Sequence, residues 1–111
     1  METSTKNIQG VTVLSLVGRM DATTVTTFEE ACRACLESGT LRVAVDMSGI
    51  AYVSSAGLRG ILVMQKLAKK QQVKLVFLGL QDVVAQVFSI SGFNSILSLH
   101  PSLDAALAAL Q

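Results

Sequence analysis

The chain has 111 residues, half of them apolar and 15% charged, with a formal charge of +1. That size and apolar content suit one domain across residues 1–111 with a buried core, and exclude disorder. The nine basic residues are scattered, with one Tyr and no Trp, so the basic stripe and stacking aromatics of a nucleic-acid interface are missing.

No apolar run approaches the roughly 20 residues that cross a bilayer, and the first ten residues carry no hydrophobic signal core. A cytoplasmic protein is expected, and two cysteines, Cys32 and Cys35, agree with a reducing compartment. In chain order, residues 2–8 are polar and threonine-rich, suited to an edge strand. Gln9-Gly10 would make a hairpin to Val11-Thr-Val-Leu-Ser-Leu-Val17, which alternates as a strand does. Asp21 precedes a helical stretch in which Val25, Phe28, Cys32 and Cys35 or Leu36 recur on one face, with Gly39 as its stop. Leu41-Arg-Val-Ala-Val45 has the near-continuous apolarity of a buried parallel strand.

A second helix opens at Ser54 or Ser55 and runs to about Lys70. Val73-Lys-Leu-Val-Phe-Leu78 is a third apolar strand, stopped by Gly79. A third helix spans about Asp82 to Ile90 with Val84, Val87 and Phe88 inward, and Ser91-Gly92-Phe93 supplies a left-handed glycine stop. Ile96-Leu97 suggests a short strand, His100 beside Pro101 a loop. Ser102 caps a last helix with Leu103, Ala106, Leu107 and Leu110 as its buried stripe.

Strands alternating with helices imply an α/β fold whose sheet is parallel in its centre and joined by right-handed crossovers. Functional groups then gather at the carboxyl edge of the strands. That edge would collect Asp21, Asp46, Ser48, Ser54-Ser55 and the segment from Gly79 to Gln81.

Ser55 draws the most attention. Either it or Ser54 caps the second helix, a contribution of about 1 kcal/mol. A helix start also tolerates added negative charge, because its free amides and positive dipole end can receive a phosphate. Phosphorylation there would alter recognition by a partner without unfolding the chain. Asp21 can be read as a cap of the first helix. The cluster lacks a histidine to activate a serine, and two aspartates alone hold a metal weakly, so no catalytic residue, metal site or cofactor is expected.

Cys32-Arg-Ala-Cys35 matches a C-x-x-C pattern, but its mid-helix place on the apolar face favours buried small hydrophobes over redox chemistry. Gly57 and Gly60 lack the longer glycine pattern and lysine of a phosphate-cradling loop. The second helix carries two apolar stripes. Leu58, Ile61, Leu62 and Ala68 are expected to face the sheet; Gly57, Gly60, Met64 and Leu67 would be covered by the third helix or form a docking patch beside Ser55. Arg59, Val63, Lys66 and Lys70 fall on the remaining side.

Three segments in order resemble the STAS family, which includes anti-sigma-factor antagonists. They are Val45-Asp-Met-Ser-Gly-Ile-Ala-Tyr-Val-Ser-Ser-Ala-Gly-Leu58, Leu16-Val-Gly-Arg-Met-Asp21 and Val84-Ala-Gln-Val-Phe-Ser-Ile-Ser-Gly-Phe93. The resemblance implies a mixed sheet of four to five strands with about four helices, mostly on one face. It further implies binding of an anti-sigma factor that is itself a serine kinase, release on phosphorylation, and resetting by a PP2C-type phosphatase. The phosphorylated serine carries onto Ser55, with Ser54 the adjacent alternative where many members have aspartate. The nearby acid carries onto Asp21, and Asp46 matches the polar position closing the preceding strand. Ser54, Ser55, Ala56, Gly57, Leu58, Arg59, Gly60, Met64 and Leu67 would form the partner-binding surface. A constitutive STAS scaffold subunit of a transporter or other assembly is the alternative reading.

Overall fold

The threonine-rich start pairs as an edge strand. In the computed structural model, which describes residues 1–111, β1 (Glu2–Ile8) and β2 (Val11–Met20) form an antiparallel hairpin. Gln9 and Gly10 turn it with φ of 53° and 80°, the doubly positive geometry that matches the right-handed twist of two paired strands. From β2 onward every pairing is parallel. The elements are α1 (Val25–Leu36), β3 (Arg42–Val53), α2 (Ser55–Lys70), β4 (Lys74–Leu78), α3 (Asp82–Ile90), a 3₁₀ turn over Phe93–Ser95, β5 (Ser98–His100) and α4 (Leu103–Leu110). The five strands lie in the order β1-β2-β3-β4-β5.

Alternation along the strands divides the core in two. Leu14 and Leu16 of β2, Val43, Val45 and Met47 of β3, and Leu75 and Phe77 of β4 point toward α1, α2 and α3. Val11, Val13, Ala44, Val76 and Leu78 point the other way, onto Ala106, Leu107 and Leu110 of α4. Three helices thus cover one face and one covers the other. The Nη1 of Arg42 donates 3.0 Å to the carbonyl of Leu110, tying down the open end of α4.

Several expectations are corrected. The strand expected over residues 41–45 runs on to Val53, and its neighbour runs to Met20, because β2 and β3 stay paired through register shifts at Ser15/Val17 and Gly18/Arg19. Bulged strands lose the two-residue rhythm by which a strand is recognised. Asp46 therefore does not close β3; it lies within it, opposite Leu78, where β4 ends. The final strand falls at Ser98–His100 rather than Ile96-Leu97, so His100 lies in a strand and not a loop, its Nε2 2.9 Å from Ser98 Oγ.

The second stripe of α2 is also resolved. Gly57, Gly60 and Met64 are buried with Ile61 and Ala68, while Leu58, Leu62 and Leu67 are half-buried. Gly60 lies under Val25 of α1, and a Cβ there would collide with that side chain. Gly60 is covered by α1 and Gly57 by Met20 and Val53 at the ends of β2 and β3, not by α3, and Gly57, Gly60 and Met64 offer no docking surface. A helix wedged between a sheet and a second helix needs a wider apolar arc than one stripe.

Cys32 and Cys35 are free thiols buried in the core around α1. Burial pushes the Cys32 thiol from 9.0 up to about 12. The folded state holds this proton after the unfolded chain has lost it, so the thiol's stabilising contribution is complete below pH 9 and disappears as pH rises toward 12. Urea unfolding across that window is expected to show a loss of up to about 1.4 kcal/mol per pH unit from this group. Cys32→Ala should flatten the slope, and an unchanged slope would place the loss elsewhere.

Candidate functional site

The start of α2 is fixed by the ends of β2 and β3. Met20 pairs with Val53, and the Ser54 amide donates 2.9 Å to the carbonyl of Met20, extending the ladder by one bond. Ser54 is extended (φ −87°, ψ 176°), and its Oγ accepts from the Gly57 amide at 3.3 Å. Its carbonyl accepts the first helical bond, from the Leu58 amide at 2.9 Å. Ser54 is therefore the N-cap. Ser55 is the first helical residue, exposed, and its hydroxyl has no hydrogen-bond partner within the fold.

Two adjacent serines thus divide the work. Ser54→Ala is expected to lower stability by about 1 kcal/mol through loss of the cap. Ser55→Ala is expected to change it by less than about 0.5 kcal/mol. Denaturant melts of the two variants decide the assignment, and a reversed order would contradict it.

Asp21 organises the other side of the site. Its carboxylate accepts from the Thr23 hydroxyl at 2.6 Å and the Thr23 amide at 2.9 Å. Its carbonyl accepts from the Val25 amide at 2.8 Å. Thr24 Oγ1 donates 2.7 Å to the carbonyl of Arg19 and accepts 3.0 Å from the Asp21 amide. The Thr23 hydroxyl, followed by its amide, holds the Asp21 carboxyl below its ordinary value. Asp21 is ionised at neutral pH and builds the turn into α1.

Two residues passed over in the sequence belong to this corner. The Arg19 guanidinium lies 4.3 Å from the centre of the Tyr52 ring, a cation–π contact, with Nε 4.0 Å from Asp21 Oδ2. Arg19 and Tyr52 are cross-strand partners in the extended β2–β3 pairing. They become visible only once that extension is known.

Asp46 and Ser48 go elsewhere. Asp46 Oδ1 accepts from the Ser48 amide at 2.9 Å, and the Ser48 carbonyl accepts from Gln81 Nε2 at 2.9 Å. They form a cluster with Gly79 and Gln81 where β4 ends, with most of the remaining β3 between them and Ser55. They are not neighbours of Ser55, contrary to the expectation. Of the anticipated partner surface, Ser55 and Arg59 are exposed and Ser54, Ala56 and Leu58 half-exposed, while Gly57, Gly60 and Met64 lie inside.

A parallel-centred sheet with three helices on one face, one on the other, and a capped serine pair opening the second helix makes this an α/β domain. The chain belongs to the STAS domain family, whose model matches residues 2–106. BtrV of Bordetella bronchiseptica, assigned as an anti-sigma factor antagonist, is 34% identical over 111 residues, covering 100% of this chain and 96% of BtrV. An anti-sigma factor antagonist from Mycobacterium paratuberculosis superposes with a TM-score of 0.88 at 23% identity, over 97% of this chain and 92% of that one. The antagonist SpoIIAA in its unphosphorylated form gives 0.80 at 14% identity, over 98% and 96%. The two structural likenesses speak for the fold. No helix here is long and apolar enough to cross a membrane.

Proposed function

We propose that this chain is an anti-sigma factor antagonist: a cytoplasmic, non-enzymatic regulator that binds an anti-sigma factor with serine kinase activity and releases it once Ser55 is phosphorylated. The reading rests chiefly on one observation, the exposed and unengaged Ser55 hydroxyl beside a helix start that Ser54 already caps. Family membership and the antagonists among its relatives support it.

In the unmodified state the partner docks over Ser55, Arg59 and the half-exposed Leu58. A phosphate on Ser55 adds close to two negative charges where the first turn of α2 has no acidic residue. The free amides and dipole of the helix tolerate that charge, so the fold persists while the docked surface is repelled. A PP2C-type phosphatase restores the hydroxyl.

A transcription assay tests the function. Added to a sigma factor held by its anti-sigma factor, the unphosphorylated protein is expected to restore transcription, and the Ser55-phosphorylated protein is not. Equal activity of the two forms, or restoration by neither, would overturn the reading.

A further inference from the structure

The two edges of the sheet are not alike. β5 closes one side with only three residues, Ser98–His100, and so short an edge offers little for another strand to pair with. β1 closes the other side with seven, Glu2–Ile8, and every residue from Glu2 to Asn7 is exposed. Its register against β2 runs from Glu2↔Val17 to Ile8↔Val11 without a shift, and it holds no proline. A long edge is commonly blunted by a bulge, a proline or a lysine. Here only the lysine is present, as Lys6.

The hairpin decides which backbone groups of β1 are free. Ile8 and Val11 flank a two-residue turn, the place of a hydrogen-bonded pair. Alternation then turns the amides and carbonyls of Ile8, Lys6, Ser4 and Glu2 toward β2, and those of Asn7, Thr5 and Thr3 out to the open edge. The side chains of Glu2, Ser4 and Lys6 share one face of the sheet, and those of Thr3 and Thr5 share the other. Glu2 and Lys6 stand about 13 Å apart along the strand, too far to pair with each other. Neither joins an ion pair within the chain; the one salt bridge links Arg19 to Asp21.

We propose that β1 is the interface of a symmetric homodimer, in which the open edges of two copies pair antiparallel about a two-fold axis at Ser4 and merge their sheets into one. Two constraints select this register. A ladder forms only where outward-facing residues meet, so Thr3, Thr5 and Asn7 must lie opposite one another, which places the axis at a residue and not between two. Charge then chooses the residue. With the axis at Ser4, Glu2 of each copy faces Lys6 of the other, and Thr3 faces Thr5, both favourable cross-strand pairs. At Thr5 the axis would set Glu2 against Ile8, at Lys6 it would bring the two lysines together, and at Thr3 it would set Glu2 against Ser4. The lysine that would guard the edge is thus neutralised by a glutamate of the second copy. A single strand edge is a small contact, so the dimer is weak and reversible. The inference does not depend on the role proposed for Ser55.

Sedimentation velocity from about 10 µM to about 1 mM tests it, with a shift from monomer to dimer expected. A monomer at every concentration would overturn the proposal. Glu2→Lys and Lys6→Glu each set like charges opposite one another, and each should weaken self-association by about tenfold. An equimolar mixture of the two variants should recover it, because the lysines of one then face the glutamates of the other; recovery also shows that both variants fold. Self-association untouched by either variant, or no recovery in the mixture, would put the contact elsewhere. Mild oxidation reads the axis. Ser4→Cys, whose α-carbons would lie about 4.5 Å apart in a pair without hydrogen bonds, should cross-link to itself faster than Thr3→Cys or Thr5→Cys. Faster cross-linking at either threonine position would contradict the register.

Discussion

Ser55→Asp is expected to weaken binding to the anti-sigma factor by about 2–4 kcal/mol, roughly thirtyfold to a thousandfold, without destabilising the fold. The two halves of this result have different origins. Ser55 is exposed and its hydroxyl has no hydrogen-bond partner in the fold, so the substitution removes no side-chain bond the fold depends on. The first turn of α2 holds no acidic residue, and a carboxylate near a helix N-terminus contributes about 0.3–1 kcal/mol in its favour. Stability should hold or rise slightly. At the proposed interface the same charge would be buried against a surface that accommodates a neutral hydroxyl, and an unpaired charge there costs several kcal/mol. Calorimetric titration against the partner, with a thermal melt of each variant, separates the two. A stability loss as large as the affinity loss would make Ser55 a structural residue, and unchanged affinity would put the interface elsewhere.

Gly57→Ala is expected to cost about 2–3 kcal/mol, although alanine in an open helix ordinarily gains about 1 kcal/mol over glycine. A Cβ at this position would lie 2.8 Å from the carbonyl oxygen of Met20, 2.9 Å from Val53 Cγ1 and 3.0 Å from Met20 Cγ. Two of these are side-chain atoms that could shift, but the carbonyl is held by its bond from the Ser54 amide. Relief would require α2 to tilt away from the end of β2, loosening the cap and displacing Ser55. Urea melts give the cost, and NMR shifts at Ser54 and Ser55 report the displacement. A neutral or stabilising result would mean that α2 is not anchored against Met20 as described.

Much of this arrangement was legible in the sequence, for identifiable reasons. The alternation of β2, the helical stripe of Val25, Phe28, Cys32 and Leu36, and the run from Lys74 to Leu78 each carry a clear period, and the order of elements dictates a parallel centre. The helix start at Ser54-Ser55 was equally plain. Which serine caps it was not, because the choice turns on one backbone dihedral pair and one bond to Gly57. The length of β3 was hidden, since register shifts between Asp46 and Gly49 and between Ile50 and Tyr52 break the rhythm. Its continuation moved Asp46 and Ser48 away from Ser55 and brought Arg19 beside Tyr52. The Gly57, Gly60 and Met64 stripe was correctly seen as apolar. Whether a neighbouring helix or a partner covered it depended on where α1 lies, and local periodicity carries no information about that.

The account stands or falls on Ser55 being the modified hydroxyl. Incubating the protein with ATP and the proposed partner, an anti-sigma factor with serine kinase activity, then mapping by mass spectrometry, should find a single phosphate on the peptide spanning Ser54 and Ser55, with fragmentation assigning it to Ser55 and Ser55→Ala remaining unmodified. A phosphate on Ser54, whose oxygen is engaged with the Gly57 amide, or no phosphate under conditions where the two proteins bind each other, would contradict it.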